Sequence, residues 1–164
     1  MSLRASIPIS SLALLLAIAG AGAITRCVYN EAACGCDTDK GLISLKKYEN
    51  SPLISREHFI YSDNVYWNPC KEMTIKTTTA SCIQIFNGIV IDCGVHDTMR
   101  SSVEGDHAVF RLDPAGRSEW PHSDTKSEFH CICKPNAEDE FVRDYRLVLD
   151  YLVLNITGDS CCPK

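Results

Sequence analysis

The chain lacks the short motifs that most often mark catalysis. It has no Gly-x-Ser-x-Gly elbow, no His-x-x-x-His pair and no glycine-rich phosphate loop. The five histidines, at positions 58, 96, 107, 122 and 130, are scattered. His96-Asp97 and Asp106-His107 read as neighbours on solvated loops rather than as parts of a catalytic set. The sequence therefore points away from an enzyme, and it calls for no cofactor. Basic clusters are also missing: none exceeds a pair, as at Lys46-Lys47, and the net charge is −5. Nucleic acid is not an expected partner. No stretch longer than about ten residues carries apolar residues at helical spacing. After the N-terminal segment no apolar run is long enough to span a membrane, because Leu147 to Leu154 is short and interrupted by Asp150.

What is present begins with a leader. Arg4 precedes an apolar, small-residue run from Ile7 to Ile24. Ala21-Gly22-Ala23 fits the small-residue rule for signal-peptide cleavage, with Ala19-Gly20-Ala21 as a second choice. A membrane anchor is the alternative, and the small residues favour cleavage. Residues 1–23 are read as a signal peptide and 24–164 as one secreted domain. A domain of that size, about 140 residues, is large enough for a core. No Lys-Asp-Glu-Leu type retention signal closes the chain, so the expected destination is extracellular, with the secretory lumen as the variant.

All ten cysteines (27, 34, 36, 70, 82, 93, 131, 133, 161 and 162) follow the cleavage point. An even number in an oxidising compartment reads as a disulfide framework of at most five bridges. Cys34-x-Cys36 and Cys131-x-Cys133 also have a thiolate–metal reading, but secretion favours bridges, and no metal site is expected. Asp37-Thr-Asp39 lacks the glycine and distal glutamate of a calcium loop and reads as a solvated turn. Asn155-Ile-Thr157 is the one glycosylation sequon.

The rest of the chain reads as short strands separated by turns. Cys27 to Lys40 is a loop or clasp, and Gly41 to Leu45 a strand. Ser55 to Tyr66 forms one or two strands broken at Asp63-Asn64, and Thr74 to Ala80 is extended. Asn87-Gly88 separates two β-forming runs, Cys82 to Phe86 and Ile89 to Cys93, which is the signal for a type I′ hairpin. In that register Phe86 faces Ile89, Gln84 faces Ile91, and Cys82 faces Cys93 within bridging distance. A Cys82–Cys93 disulfide is predicted. Val109 to Leu112 is a further strand, followed by a turn at Asp113 to Gly116. Ser127 to Cys133 and Leu147 to Thr157 are the last two strands, with an acidic loop from Lys134 to Glu140 between them. Tyr151, Val153, Asn155 and Thr157 alternate along one face of the last strand. The expected class is all-β and disulfide-rich: a flattened β-barrel or two-sheet sandwich.

Three stretches resemble the mannose 6-phosphate receptor homology family. Gln84-Ile-Phe-Asn-Gly88 is similar to its glutamine-bearing hairpin. Tyr151-x-Val-x-Asn-x-Thr-x-x-Ser-Cys161 is similar to its closing Tyr-x-Phe-x-Trp-x-Thr-x-x-Ala-Cys pattern. Cys36 to Leu45, followed by Tyr66-Trp-Asn-Pro-Cys70, resembles the opening of such domains. The resemblance implies a lectin domain of the secretory pathway that grips terminal mannose with a glutamine, an arginine, a glutamate and a tyrosine. Residue by residue it implies Gln84 and Tyr151. It also implies Glu140 as the glutamate, with Glu138 and Glu128 as alternatives because loop length varies there. Lys126 stands nearest to the arginine position. Lysine keeps the charge but not the bidentate fork. Arg111 and Arg117 become candidates if the alignment shifts. The resemblance further implies disulfides Cys36–Cys70 and Cys133–Cys161, which leaves Cys27, Cys34, Cys131 and Cys162 to pair among themselves. The function implied is non-enzymatic binding of a glycan or glycoprotein. The alternative is a structural or protein-interaction module on the same fold.

Overall fold

The structure, a computed structural model, describes residues 23–56, 63–115, 126–144 and 151–164. Residues 1–22 of the expected leader, Arg117 and the 116 end of the predicted turn lie outside the described residues.

The first small sheet joins β1 (Cys27–Asn30), β2 (Gly35–Thr38) and β3 (Gly41–Ile43) as an antiparallel meander. A four-stranded antiparallel sheet has the order β4 (Leu53–Arg56), β5 (Asp63–Trp67), β8 (Cys82–Phe86) and β9 (Ile89–Gly94). A separate hairpin pairs β6 (Met73–Ile75) with β7 (Thr78–Ala80). The largest sheet has five strands. It runs β10 (Arg100–Glu104), β11 (His107–Leu112), β12 (Lys126–Cys133), β14 (Tyr151–Gly158) and β13 (Glu140–Asp144). Only 3₁₀ turns interrupt the strands among the described residues, in keeping with the absence of helical periodicity. The chain is all-β and disulfide-rich. No closed barrel forms among the described residues: the strands divide into separate sheets.

The turn chemistry of the Cys82 hairpin is as its residues require. Asn87 and Gly88 both have positive φ, 49° and 79°, which is the type I′ combination. Phe86 pairs with Ile89 and Gln84 with Ile91. The register then slips at Cys82, which pairs with Gly94 across a bulge. The bulge leaves the Cys82–Cys93 bridge in place, with Cα atoms 4.9 Å apart. Gly94 lies against the five-stranded sheet. A Cβ there would sit 2.3 Å from the Cβ of Leu112, so no side chain fits at this crossing.

Two expected disulfides are corrected. Cys36 bonds Cys27, not Cys70, because residues 27–40 form the β1–β2 hairpin rather than a loose clasp and place the pair with Cα atoms 5.3 Å apart. Cys70 is taken by Cys34, held in a left-handed conformation (φ 52°) at the end of the 3₁₀ turn Glu31–Ala33. Cys133 bonds Cys162, and Cys161 bonds Cys131. The cause is the parallel pairing of β12 and β14, which sets Cys131 beside Ile156 and Cys133 beside Gly158. The 3₁₀ turn Asp159–Cys161 then folds the chain back, and Cys161 and Cys162 each find one of the two. All ten cysteines are bonded, a state typical of extracellular or secretory-lumen proteins. Among the described residues no helix is long and apolar enough to cross a membrane.

The core lies between the four- and five-stranded sheets. Phe110 and Phe129 alternate inward from β11 and β12, and Leu152, Leu154 and Ile156 from β14. Trp67, fully buried at the end of β5, stacks on Phe129 with centroids 3.9 Å apart and meets Phe110 at 6.1 Å.

A buried carboxylate fastens the C-terminal turn. Asp139 accepts from Tyr48 Oη and from the Ser160 amide at 3.2 Å, and pairs with Lys47 Nζ at 2.8 Å. Burial pushes this carboxyl up, but the bonds from Lys47, Tyr48 and Ser160 outweigh it and hold it at about 2. A depressed folded pKa stabilises the fold at pH above the ordinary carboxylate value. That stability is lost as the pH falls through the ordinary range towards about 2. Asp139→Asn is expected to cost about 1.5–3 kcal/mol at neutral pH. Denaturant melts at stepped pH should then show a shallower acid loss in the variant than in the parent chain.

Candidate ligand-binding face

Strand alternation gives the five-stranded sheet one apolar and one polar side. The polar side carries rows of residues that run across the strands. One row is Arg100, Arg111, Glu128 and Val153. The next is Ser102, Val109, His130, Asn155 and Val142. Glu104 lies opposite His107, and Lys126 begins β12 opposite Tyr151.

Two arginines directly opposite each other repel unless carboxylates lie between and around them. Arg111 Nε donates to Glu128 Oε2 at 2.8 Å, its Nη1 to Ser102 Oγ at 2.5 Å, and its Nη2 to Glu104. Partial burial works against its charge. The hydrogen bonds and charge of Glu128, then of Glu104, prevail and hold the guanidinium above its usual value. Arg100 pairs with Asp113, which also lies 3.4 Å from Lys126 Nζ. Between these groups a cleft of about 370 Å³ opens, lined by Arg100, Ser102, Arg111, Asp113 and Lys126. It holds three cations and one carboxylate. The Arg111 side chain is 29 % exposed, so its edge remains accessible from the cleft.

Glu128 also receives His130. His130 Nε2 lies 2.6 Å from Glu128 Oε1, His130 Nδ1 lies 2.8 Å from His107 Nε2, and His107 Nδ1 lies 3.2 Å from Asp106 Oδ1. A continuous polar chain thus runs from Asp106 to Arg111. Glu104, Glu128 and His130 are close enough to share a cation, but the Arg111 guanidinium already bonds both of those carboxylates.

The four residues expected to grip a sugar do not converge. Lys126 and Tyr151 are brought together as register partners. Glu140 is exposed on β13 opposite Thr157, six residues along β14 from Tyr151. At ~3.3 Å per residue that is about 20 Å, too far for one monosaccharide. The loop expected from Lys134 to Glu140 ends in a strand that begins at Glu140, and this sets Glu140 at the wrong end. Gln84 belongs to the other sheet. It shares a face with Val65, Cys82 and Trp67, the face turned toward Phe129, whereas Lys126 and Glu128 occupy the opposite side of β12. Glu138 is exposed in the loop before β13, and Asn155 is half-buried at the middle of β14. The alternatives Arg111 and Glu128 are the pair that meets beside Lys126. Sequence reasoning missed Arg100, Ser102 and Glu104. Their alternation within Arg-Ser-Ser-Val-Glu was the available signal, but the short run holds a single apolar residue.

Among known proteins, no family model and no curated protein matches this chain.

Proposed function

We propose that the chain is a secreted, non-enzymatic glycan-binding module of the mannose 6-phosphate receptor homology type. Its ligand-binding face is the polar side of β10, β11 and β12, with a mannose-type terminal sugar as the leading ligand. The supporting observation is the cleft lined by Arg111 and Lys126, in which Arg111 is also bonded to Glu128. Arg111 supplies a planar donor fork, Glu128 acceptor oxygens, and Lys126 a point donor. That donor and acceptor set suits the vicinal hydroxyls of a sugar, and Tyr151 holds the adjoining register position. Gln84 and Glu140 have no part in this binding set.

A glycan array probed with the disulfide-intact domain tests the reading. Retention on mannose-terminated glycans, reduced about tenfold or more by Lys126→Ala, is the expected result. A well-folded domain that retains no glycan refutes it. One observation favours the alternative of a protein-interaction module. The Arg111 fork is already bonded within the chain, to Glu104, Glu128 and Ser102. On that alternative the same cleft takes an acidic side chain of a partner protein, and the array stays blank.

A further inference from the structure

We propose that Cys133–Cys162 is a thiol-exchange site, at which a small anionic thiol of the glutathione class forms a mixed disulfide on Cys133 while the other four bridges stay closed. The inference is independent of the glycan reading. Of the ten cysteines Cys133 alone is exposed; Cys70 is half-buried and the other eight are buried. Cys133 ends β12, and its partner Cys162 follows the last 3₁₀ turn. Exchange requires that a thiolate reach a disulfide sulfur, so access separates labile bridges from inert ones. Both residues of this bridge line a second cleft, of about 550 Å³. Lys40 and Lys164 bring positive charge to it, and Asp106 and Asp159 negative charge. Lys164 is paired with Asp159 at 2.6 Å, so Lys40 is the cation that meets an incoming carboxylate.

The fold also makes this bridge the dispensable one. Cys131–Cys161 and Cys133–Cys162 close loops of nearly the same span, with sequence separations of 30 and 29. Once the buried Cys131–Cys161 bridge is in place, Cys133 and Cys162 lie two residues and one residue along from it, so the second bridge closes only a small ring. Its added constraint on the unfolded chain is correspondingly small. The turn it fastens has other ties: Lys134 N donates to Gly158 O at 3.1 Å, Asp159 N to Ala137 O at 3.2 Å, and Ser160 N to Asp139. The exchange balances with the incoming thiol alone. Its sulfur, as the thiolate, attacks Cys133 Sγ. The new S–S bond forms as the Cys133–Cys162 bond breaks, and Cys162 leaves as a thiolate that takes up the proton the incoming thiol gave to water. The Gly158 carbonyl, 3.8 Å from Cys162 Sγ, accepts the resulting S–H. One disulfide and one thiol stand on each side of the step, so no oxidant or further reductant is consumed.

The test incubates the disulfide-intact domain with graded reduced glutathione at neutral pH. Samples are blocked with N-ethylmaleimide and mapped by peptide mass spectrometry, while near-ultraviolet circular dichroism follows the fold. One glutathione on Cys133 and one maleimide on Cys162 are the expected result, formed at least about tenfold faster than labelling at any other cysteine and without loss of the folded spectrum. The paired substitution Cys133→Ser with Cys162→Ser should melt cooperatively and take no adduct. If that variant fails to fold, the order of labelling in the parent chain still decides the matter. Lys40→Gln should slow the glutathione adduct about two- to threefold and leave the rate with uncharged β-mercaptoethanol unchanged. Three results overturn the proposal: another bridge labelled first, all five opening together with loss of the fold, or no adduct short of denaturation. A glutathione rate indifferent to Lys40→Gln overturns the choice of an anionic thiol.

Discussion

Trp67→Ala is expected to destabilise the domain by about 3–5 kcal/mol, enough to leave much of it unfolded at ambient temperature. Trp67 is a central side chain at the place where the two main sheets touch. It leaves β5, crosses the interface and lies flat on Phe129 of β12, with Phe110 and Phe141 completing the cluster. Truncation removes an aromatic stack and opens a cavity between sheets that the disulfides do not join. None of the five bridges joins a strand of one main sheet directly to a strand of the other: Cys82–Cys93 lies within the four-stranded sheet, Cys131–Cys161 and Cys133–Cys162 at the end of the five-stranded sheet, Cys27–Cys36 within the N-terminal meander, and Cys34–Cys70 ties that meander to the segment after β5. The bridges limit the unfolded chain but do not replace the packing. Urea melts should show the loss as a lower midpoint, with Trp67→Phe retaining most of the stability. A midpoint unchanged in Trp67→Ala would mean that the two sheets are held together by something other than this stack.

The second large effect concerns binding. Arg111→Lys is expected to lower affinity for a mannose-terminated ligand by about 1–3 kcal/mol, roughly tenfold to a hundredfold, although the charge is retained. Lysine cannot bond Glu128, Ser102 and Glu104 in three directions and still face the cleft. The same substitution loosens Glu128, so the thermal midpoint is measured beside the affinity. Glu104→Gln serves as the control, since it relaxes Arg111 without removing the fork. Gln84→Ala is expected to leave affinity unchanged, because Gln84 shares the face of Val65 and Trp67, turned toward the sheet interface. Affinity that falls with Gln84→Ala and survives Arg111→Lys would return the site to the hairpin.

What was legible in the sequence was local. Asn87-Gly88 prescribes its turn through the backbone conformations those two residues tolerate, and the Cys82–Cys93 bridge follows from it within a dozen residues. The run after Tyr151 announced a strand through alternation, with Tyr151, Val153, Asn155 and Thr157 on one face, and Ser127 to Cys133 read as the strand before it. The remaining disulfides were not legible, since adjacent cysteines such as Cys161 and Cys162 differ only in how the chain turns after Gly158. Nor was Glu140, which starts a strand after a polar loop and is carried away from Tyr151 by the antiparallel register of β13 on β14. The candidate site was half visible. Lys126 and Tyr151 were singled out separately, and the parallel pairing of their strands joins them. Arg111 and Glu128 come together only because β11 and β12 are neighbours, which no local pattern states. The His107–His130 contact has the same origin: residues 23 apart meet through strand pairing.

The central claim is that ligand binds on the polar side of β10, β11 and β12. Amide chemical-shift mapping of the isotope-labelled domain, titrated with a mannose disaccharide, tests it most directly. Shifts gathered on Arg100 to Ser102, Arg111 to Asp113 and Lys126 to Glu128 are the predicted result. Shifts gathered instead on the Gln84 hairpin, or on Glu140 and its neighbours, would contradict it.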